Sequence, residues 1–350
     1  MRLVAYNAGI EERRMSKRFA VIGSGAWGTT VAMLLAQKPD HQVCLWSYRP
    51  ELTQQLRETR ENTRLLPGVR IPQTIEFEHD IRAASDGSAL WIAAVPTVYL
   101  RSTLEKHRSH FKVTCPVLSL CKGLEIGTFQ RPSQIVREIL GVERLAVLSG
   151  PSHAEEVARG LPASVVAASD DAELAKWIQI CLNSDHFRIY TNSDVIGVEY
   201  AAALKNIIAI AAGICDGLHI GDNAKAALLT RGLVEMARFG VAHGAEEKTF
   251  HGLAGMGDLI TTCMSKHGRN RAVGQRLATG EKLADIIAST EMVAEGVYTA
   301  RSVYEESKKR GIDMPIVEQV YCVLYEGKSP KAAVEDLMHR TAVAENRIKA

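Results

Sequence analysis

At 350 residues, with 46% hydrophobic and 23% charged residues, the chain is long enough for two domains with buried cores. A net charge of only +2 argues against general nucleic-acid binding and against attraction to membrane surfaces. Seven cysteines with no CxxC pair support neither a disulfide framework nor a zinc site, and they point to reduced thiols in a cytoplasmic protein.

Residues 1–16 contain acids and lack a continuous apolar stretch, so no signal peptide is expected. They read as a loose arm, or as a start misassigned ahead of Met15. Later apolar runs are interrupted before spanning length, so no transmembrane helix is expected. Phe19 to Ile22 reads as a buried strand, and Gly23, Gly25 and Gly28 then give the spacing GxGxxG before a helical pattern over 27–37. In that setting Gly23 permits the turn, Gly25 lets backbone N–H groups approach a pyrophosphate, and Gly28 lets helix and strand pack closely. The helix N-terminus adds free N–H donors and partial positive charge. The spacing predicts a dinucleotide site; a purely structural turn is the alternative.

Gln42 to Trp46 reads as a second strand, ending in Ser47-Tyr48-Arg49 where an NAD-specific site places an acid. Residues 50–60 look helical, and Pro67-Gly68 and Pro72 mark a loop. Uncharged runs at 89–95, 116–120 and 145–148 suit buried strands, and 163–167 and 187–190 complete the strand-rich half. Helical segments between them predict strand–crossover–strand order, hence a parallel α/β sheet. From Asp194 the texture changes. Val195 to Ile214 reads as a helix buried on most sides, and segments near 222–243, 269–288, 295–310 and 314–325 are helical with no convincing strand. The expected fold is therefore a Rossmann-type parallel-sheet domain over 17–193 followed by an all-α domain over 194–350. The boundary lies at Asn192-Ser193-Asp194, whose side chains can cap the incoming helix.

In an open α/β sheet, ligands bind at the carboxyl ends of strands. Besides the glycine turn, two such ends carry polar groups: Lys122-Gly123 and Gly150-Pro151-Ser152-His153. Lys122 either reaches into the cleft or stays on the surface of a turn. Gly150 and Ser152 either offer donors to substrate or merely form a turn. Lys205, beside Asn206 in a nearly apolar helix, either snorkels to water or has a buried partner and a role. Burial lowers a lysine pKa, one route to proton transfer near neutrality. Asp258, directly after Gly255-Met256-Gly257, either orients Lys205, accepts substrate hydroxyls or caps a helix. His267-Gly268-Arg269-Asn270-Arg271 concentrates positive charge with an amide, a pattern suited to phosphate. His153 and His267 lack metal-ligand spacing and read as polar loop residues; no metal is expected.

Together GSGAWG (23–28), CKGLE (121–125), GPSHAEE (150–156), EYAAALKNI (199–207), GMGDLITTC (255–263), GRNR (268–271) and AEGVYTA (294–300) resemble the bacterial NAD(P)-dependent glycerol-3-phosphate dehydrogenase family. The ordered motifs span about residues 18–330. The resemblance implies reversible reduction of dihydroxyacetone phosphate to sn-glycerol 3-phosphate for phospholipid synthesis, by a Rossmann-plus-helical protein that is commonly a homodimer. It makes Lys205 the proton-transfer residue and implies substrate positions at Lys122, Gly150, Ser152, Lys205, Asn206, Asp258, Gly268, Arg269 and Asn270. It implies cofactor positions at Ala26, Trp27, Tyr48, Arg49, Lys122, Ala154, Arg269, Val293 and Glu295, beside Gly23, Gly25 and Gly28. Gly268 and Ala26 stand where the family usually and often, respectively, has serine, so any side-chain contacts there are lost. NADP is the expected preferred cofactor, with NAD also used. Two rivals share part of the pattern: a hydroxy-acid dehydrogenase of similar architecture, and a nucleotide sensor without turnover.

Overall fold

The computed structural model describes residues 17–111, 115–290, 293–342 and 344–345. The arm expected at 1–16 lies outside the described residues. Eight strands, β1 (Lys17–Ile22), β2 (His41–Trp46), β3 (Ile75–Glu78), β4 (Leu90–Ala93), β5 (Val117–Ser119), β6 (Leu145–Ser149), β7 (Ala163–Ala168) and β8 (Phe187–Asn192), form one sheet. Their order is β3-β2-β1-β4-β5-β6-β7-β8. Alternate residues of β1 feed two cores: Phe19 and Val21 on one face, Ala20 and Ile22 on the other. That is why the strand has no polar side and reads as a continuous apolar run.

The expectation of a parallel sheet throughout needs one correction. β6 and β7 pair antiparallel, while the other neighbours pair parallel. The physical reason is the connection. Residues 150–162 hold only a one-turn helix, Ala154–Val157, too little to carry the chain back along the sheet, so it reverses instead. The helix Ala172–Leu182 then restores a parallel crossover to β8.

After β1 the chain builds outward through β2 and β3, then returns to place β4 on β1's other side. This reversal opens a crevice at the carboxyl ends of β1 and β4, the usual ligand position in such sheets. The helix Val195–Gly217 follows β8 and is the axis of the second half. Asp194 caps it: Oδ1 accepts from the Gly197 N–H at 2.7 Å, and Oδ2 accepts from the Thr249 hydroxyl at 2.6 Å. With 23 residues and a mean hydropathy of 1.6, this helix is long and apolar enough to cross a membrane, but 94% of that stretch is buried in the chain's own interior. The sequence reading thus underestimated its length and apolarity.

Other helices wrap this axis, among them Asp222–Ala242, Arg269–Ala278, Glu295–Arg310 and Pro315–Tyr325. The segment expected to be helical over 269–288 is two helices, the second being Leu283–Ala288. Arg269–Ala278 crosses the axis at backbone contact: a Cβ on Gly213 would lie 2.0 Å from Arg271 O, and one on Gly274 2.0 Å from Ile210 O. This approach brings the Asn270 side chain to Asn206. All seven cysteines are free.

Candidate active site

A cavity of about 740 Å³ lies between the carboxyl ends of β1, β2, β4 and β5 and the helical half. Its sheet side is the glycine turn. The first helix, Ala26–Leu35, has no side-chain cap and no acid in its first turn, and its first backbone bond runs from Thr29 N–H to Gly25 O. The preceding amides stay available to an anion. Asn62, buried beneath the turn, donates to Ser24 O (2.9 Å) and Thr29 Oγ1 (3.1 Å), and Ser24 donates to Ser47 Oγ (2.9 Å). Sequence reasoning missed Asn62, because nothing in its loop distinguishes it.

The glycines test whether a dinucleotide fits. A Cβ on Gly28 would lie 2.0 Å from Gly23 O, and one on Gly23 2.6 Å from Ala94 O, so protein packing alone requires both. Gly25 is different. Its Cβ position has no protein atom within 4 Å, and the residue lines the cavity. Space kept clear at the helix N-terminus suits a pyrophosphate. Gly28→Ala should therefore cost about 1–3 kcal/mol of stability by overpacking. Gly25→Ala should melt like wild type yet lose most of the thermal stabilisation that NADPH gives. Equal melting losses in both variants would count against the assignment.

At the centre, Lys205 is only 5% exposed and Asp258 2%. Lys205 Nζ donates to Asp258 Oδ1 at 2.5 Å and to Thr262 Oγ1 at 2.7 Å. Lys122 Nζ, arriving from the end of β5, donates to Asp258 Oδ2 at 2.9 Å and to Gly150 O at 3.4 Å. Lys205 does not snorkel, and Lys122 is not a turn-surface lysine. A five-residue π turn, Leu253–Gly257, leads into the helix Asp258–Met264. Asp258 and Thr262 are four residues apart on that helix and share a face. That spacing is the signal by which Thr262 was legible, though sequence reasoning did not single it out.

Burial pulls the Lys205 ammonium down to about 8, against the upward pull of Asp258. Burial pushes the Asp258 carboxyl up, but Lys122 and Lys205 outweigh it and hold the group below its ordinary value. The cluster thus holds one carboxylate between two cationic side chains, with net positive charge facing the cavity. A lysine poised near 8 suits proton transfer in both directions.

The structure brings together nearly every expected position. Gly23, Gly25, Ala26, Trp27, Gly28, Tyr48, Arg49, Lys122, Ser152, Ala154, Lys205, Asn206, Asp258, Gly268, Arg269, Asn270, Val293 and Glu295 all line the cavity. Gly150 does not line it; it sits behind, its carbonyl accepting from Lys122 and from the Ser152 hydroxyl (2.9 Å). Asn270 Nδ2 donates to Asn206 Oδ1 at 3.0 Å, and its Oδ1 accepts from Gly296 N–H at 2.9 Å. Arg269 Nη1 donates to Val293 O at 3.1 Å. Glu295 accepts from Thr97 N–H at 2.9 Å, and burial pushes its carboxyl up to about 7. Tyr48, 66% exposed, and Arg49 flank the cavity mouth.

One further reading needs correction. Arg271 does not join a positive cluster at the site: it turns away to Asp216 (2.5 Å) and Ser265 O (3.2 Å). His153 and His267 are loop residues, as expected, and both also line the cavity, with ring centroids 6.0 Å apart.

The family model described as the N-terminus of NAD-dependent glycerol-3-phosphate dehydrogenase matches residues 18–175, and that for its C-terminus matches 194–335. The glycerol-3-phosphate dehydrogenase (NAD(P)+) of Geobacillus thermodenitrificans is 49% identical over 93% of this chain and 95% of its own length. That of Citrifermentans bemidjiense is 46% identical over 95% of this chain and 99% of its own. The crystal structure of glycerol-3-phosphate dehydrogenase from Coxiella burnetii superimposes with a TM-score of 0.89 at 36% identity, covering 93% of this chain and all of that one. The chain belongs to the NAD-dependent glycerol-3-phosphate dehydrogenase family.

Proposed function

We infer that this chain reversibly reduces dihydroxyacetone phosphate to sn-glycerol 3-phosphate with NADPH or NADH. The observation that carries this reading is the buried Lys122–Asp258–Lys205 cluster beside the glycine turn, in a chain of this family. The bound reduced nicotinamide supplies the hydride. Lys205 Nζ, as ammonium, donates a proton to the C2 oxygen as negative charge grows there, and as neutral amine it takes that proton back in oxidation. Asp258 holds Lys205 Nζ in place and keeps a buried ammonium tolerable. Arg269, Asn270 and Lys122 hold the phosphate, turning remote binding energy into orientation at C2. Asn270 has both ends of its amide engaged, which fixes the direction of its remaining N–H. The test is loss of reduced-nicotinamide absorbance when purified protein meets dihydroxyacetone phosphate and NADPH. No turnover, or equal turnover of an unphosphorylated hydroxy acid's keto form, would reject the reading.

The same reading takes residues 17–193 and 194–350 as the two domains, and a cytoplasmic homodimer without membrane insertion, supplying glycerol 3-phosphate for phospholipids. It also gives NADPH preference. No acid stands at the end of β2 before Glu51, so nothing there repels a 2′-phosphate, and Arg49 can pair with it. Arg49→Ala should raise KM for NADPH several-fold and leave NADH almost unchanged. Added salt should narrow the wild-type gap, because an exposed ion pair is screened. A higher wild-type kcat/KM with NADH would contradict this.

A further inference from the structure

The loop that carries Lys122 runs over residues 120–131, from the end of β5 to the helix Pro132–Leu140. By chain order it belongs to the sheet half, yet its apolar side chains do not stay there. Leu124 is buried in the core of the helical half, and Phe129 packs against that same core. Phe129 has φ 59, a left-handed conformation that a bulky residue keeps only when its surroundings hold it. Its ring lies 6.1 Å from Tyr200, 5.8 Å from Phe239 and 5.4 Å from His243, centroid to centroid.

Two residues further on, Arg131 Nη1 donates to Glu199 Oε2 at 2.5 Å. Glu199, 2% exposed, also accepts from the Ser133 N–H (2.8 Å) and the Ser133 hydroxyl (2.5 Å). Three donors satisfy one buried carboxylate, and one of them is a first-turn amide of the Pro132–Leu140 helix. Glu199 and Tyr200 lie on the helix Val195–Gly217, which also carries Lys205. The near end of the loop meets the same assembly again, where Lys122 Nζ reaches Asp258. Neither Glu199 nor Phe129 lines the cavity.

We propose that Glu199 and Phe129 are positioning residues that fasten the Lys122 loop to the Lys205 helix and thereby fix the Lys122–Asp258–Lys205 geometry. This rests on the reading of Lys205 as the proton-transfer group. The physical link is charge. Lys122, held at Asp258, disfavours the ammonium form of Lys205, and Asp258, on the helix packed against it, favours that form; Cys263 on the same helix, its thiol pushed up to about 12 by burial, stays neutral where Lys205 titrates. His153 also faces Lys205 across the cleft. If the loop loosens, Lys122 moves toward solvent and Asp258 is left to Lys205 alone. Both changes make Lys205 more basic.

The test uses the full chain with ¹³C-labelled lysine ε-carbons, following the Lys205 resonance with pH, assigned through Lys205→Arg. Glu199→Gln keeps shape while removing the charge that holds Arg131, and Phe129→Ala removes the ring contacts. In each, the Lys205 midpoint should move upward by on the order of one pH unit. In each, kcat for dihydroxyacetone phosphate reduction should fall about ten- to a hundredfold with KM for NADPH unchanged. Ser133→Ala, which removes the Ser133 hydroxyl and keeps the Arg131 and amide donors, guards against misfolding of the others and should shift Lys205 less, in the same direction. An unmoved Lys205 midpoint in the variants that retain wild-type melting overturns the proposal, whatever their activity. A wild-type Lys205 that titrates like an exposed lysine, or a wild type without turnover, defeats the reading of Lys205 instead, and the fastening is then still read from the variants' shift.

Discussion

Lys205→Ala should lower kcat for dihydroxyacetone phosphate reduction by about 10²–10⁴-fold, the usual worth of positioned acid–base help. NADPH affinity should change little, because Lys205 sits on the helical side of the cavity, opposite the glycine turn. The pH dependence is the sharper readout. Oxidation of glycerol 3-phosphate needs the neutral amine, and burial brings that group down to about 8. Wild-type kcat/KM for oxidation should therefore rise as pH increases through about 8 and level off above it. In Lys205→Ala that rise should vanish, since no group remains to titrate there. A variant within a few-fold of wild-type kcat, or one that keeps the rise, would remove Lys205 from the proton step.

How far the sequence reveals this depends on whether a residue's environment is written locally. β1, β2, β4 and β6 are legible because the doubly covered part of such a strand reads as a near-continuous apolar run, as Phe19, Ala20, Val21 and Ile22 show by feeding two cores. β3 (Ile75–Glu78) is not, because its Ile, Glu, Phe, Glu alternation, though strand-like, lasts only four residues at the sheet edge. The antiparallel β6–β7 pair is not, because an apolar run carries no direction. Lys205 is legible since a charge in an apolar helix needs an explanation, and Asp258 supplies it. Asn62 and the outward turn of Arg271 are not, because each is decided by a partner distant in sequence: Ser24 for one, Asp216 for the other. Motif order supplied the rest of the site, including Val293 and Glu295, which no local pattern marks.

Asp258→Asn should be the most damaging single change of shape-conserving kind. The asparagine keeps the size of the side chain but not the charge that lies between two lysines. One end of its amide must turn an NH₂ group toward an ammonium, donor against donor. Breaking a buried pair on one side costs about 3–5 kcal/mol, and here Lys205 has a way out: it can give up its proton. Asp258 raises the Lys205 pKa against burial, so its loss lowers that pKa further below the wild-type value of about 8. The sign follows. The unfolded lysine still holds its proton at neutral pH while the folded one does not, so the variant's stability rises with pH across that interval. Its deficit relative to wild type should thus be largest in mildly acid solution and shrink as pH rises. The oxidation profile should move to lower pH, and reduction at neutral pH should collapse because little Lys205 remains as ammonium to donate. Denaturant midpoints and kcat/KM, each followed against pH for both proteins, test this together. Coincident midpoints and an unmoved profile would mean that Asp258 does not govern the charge state of Lys205.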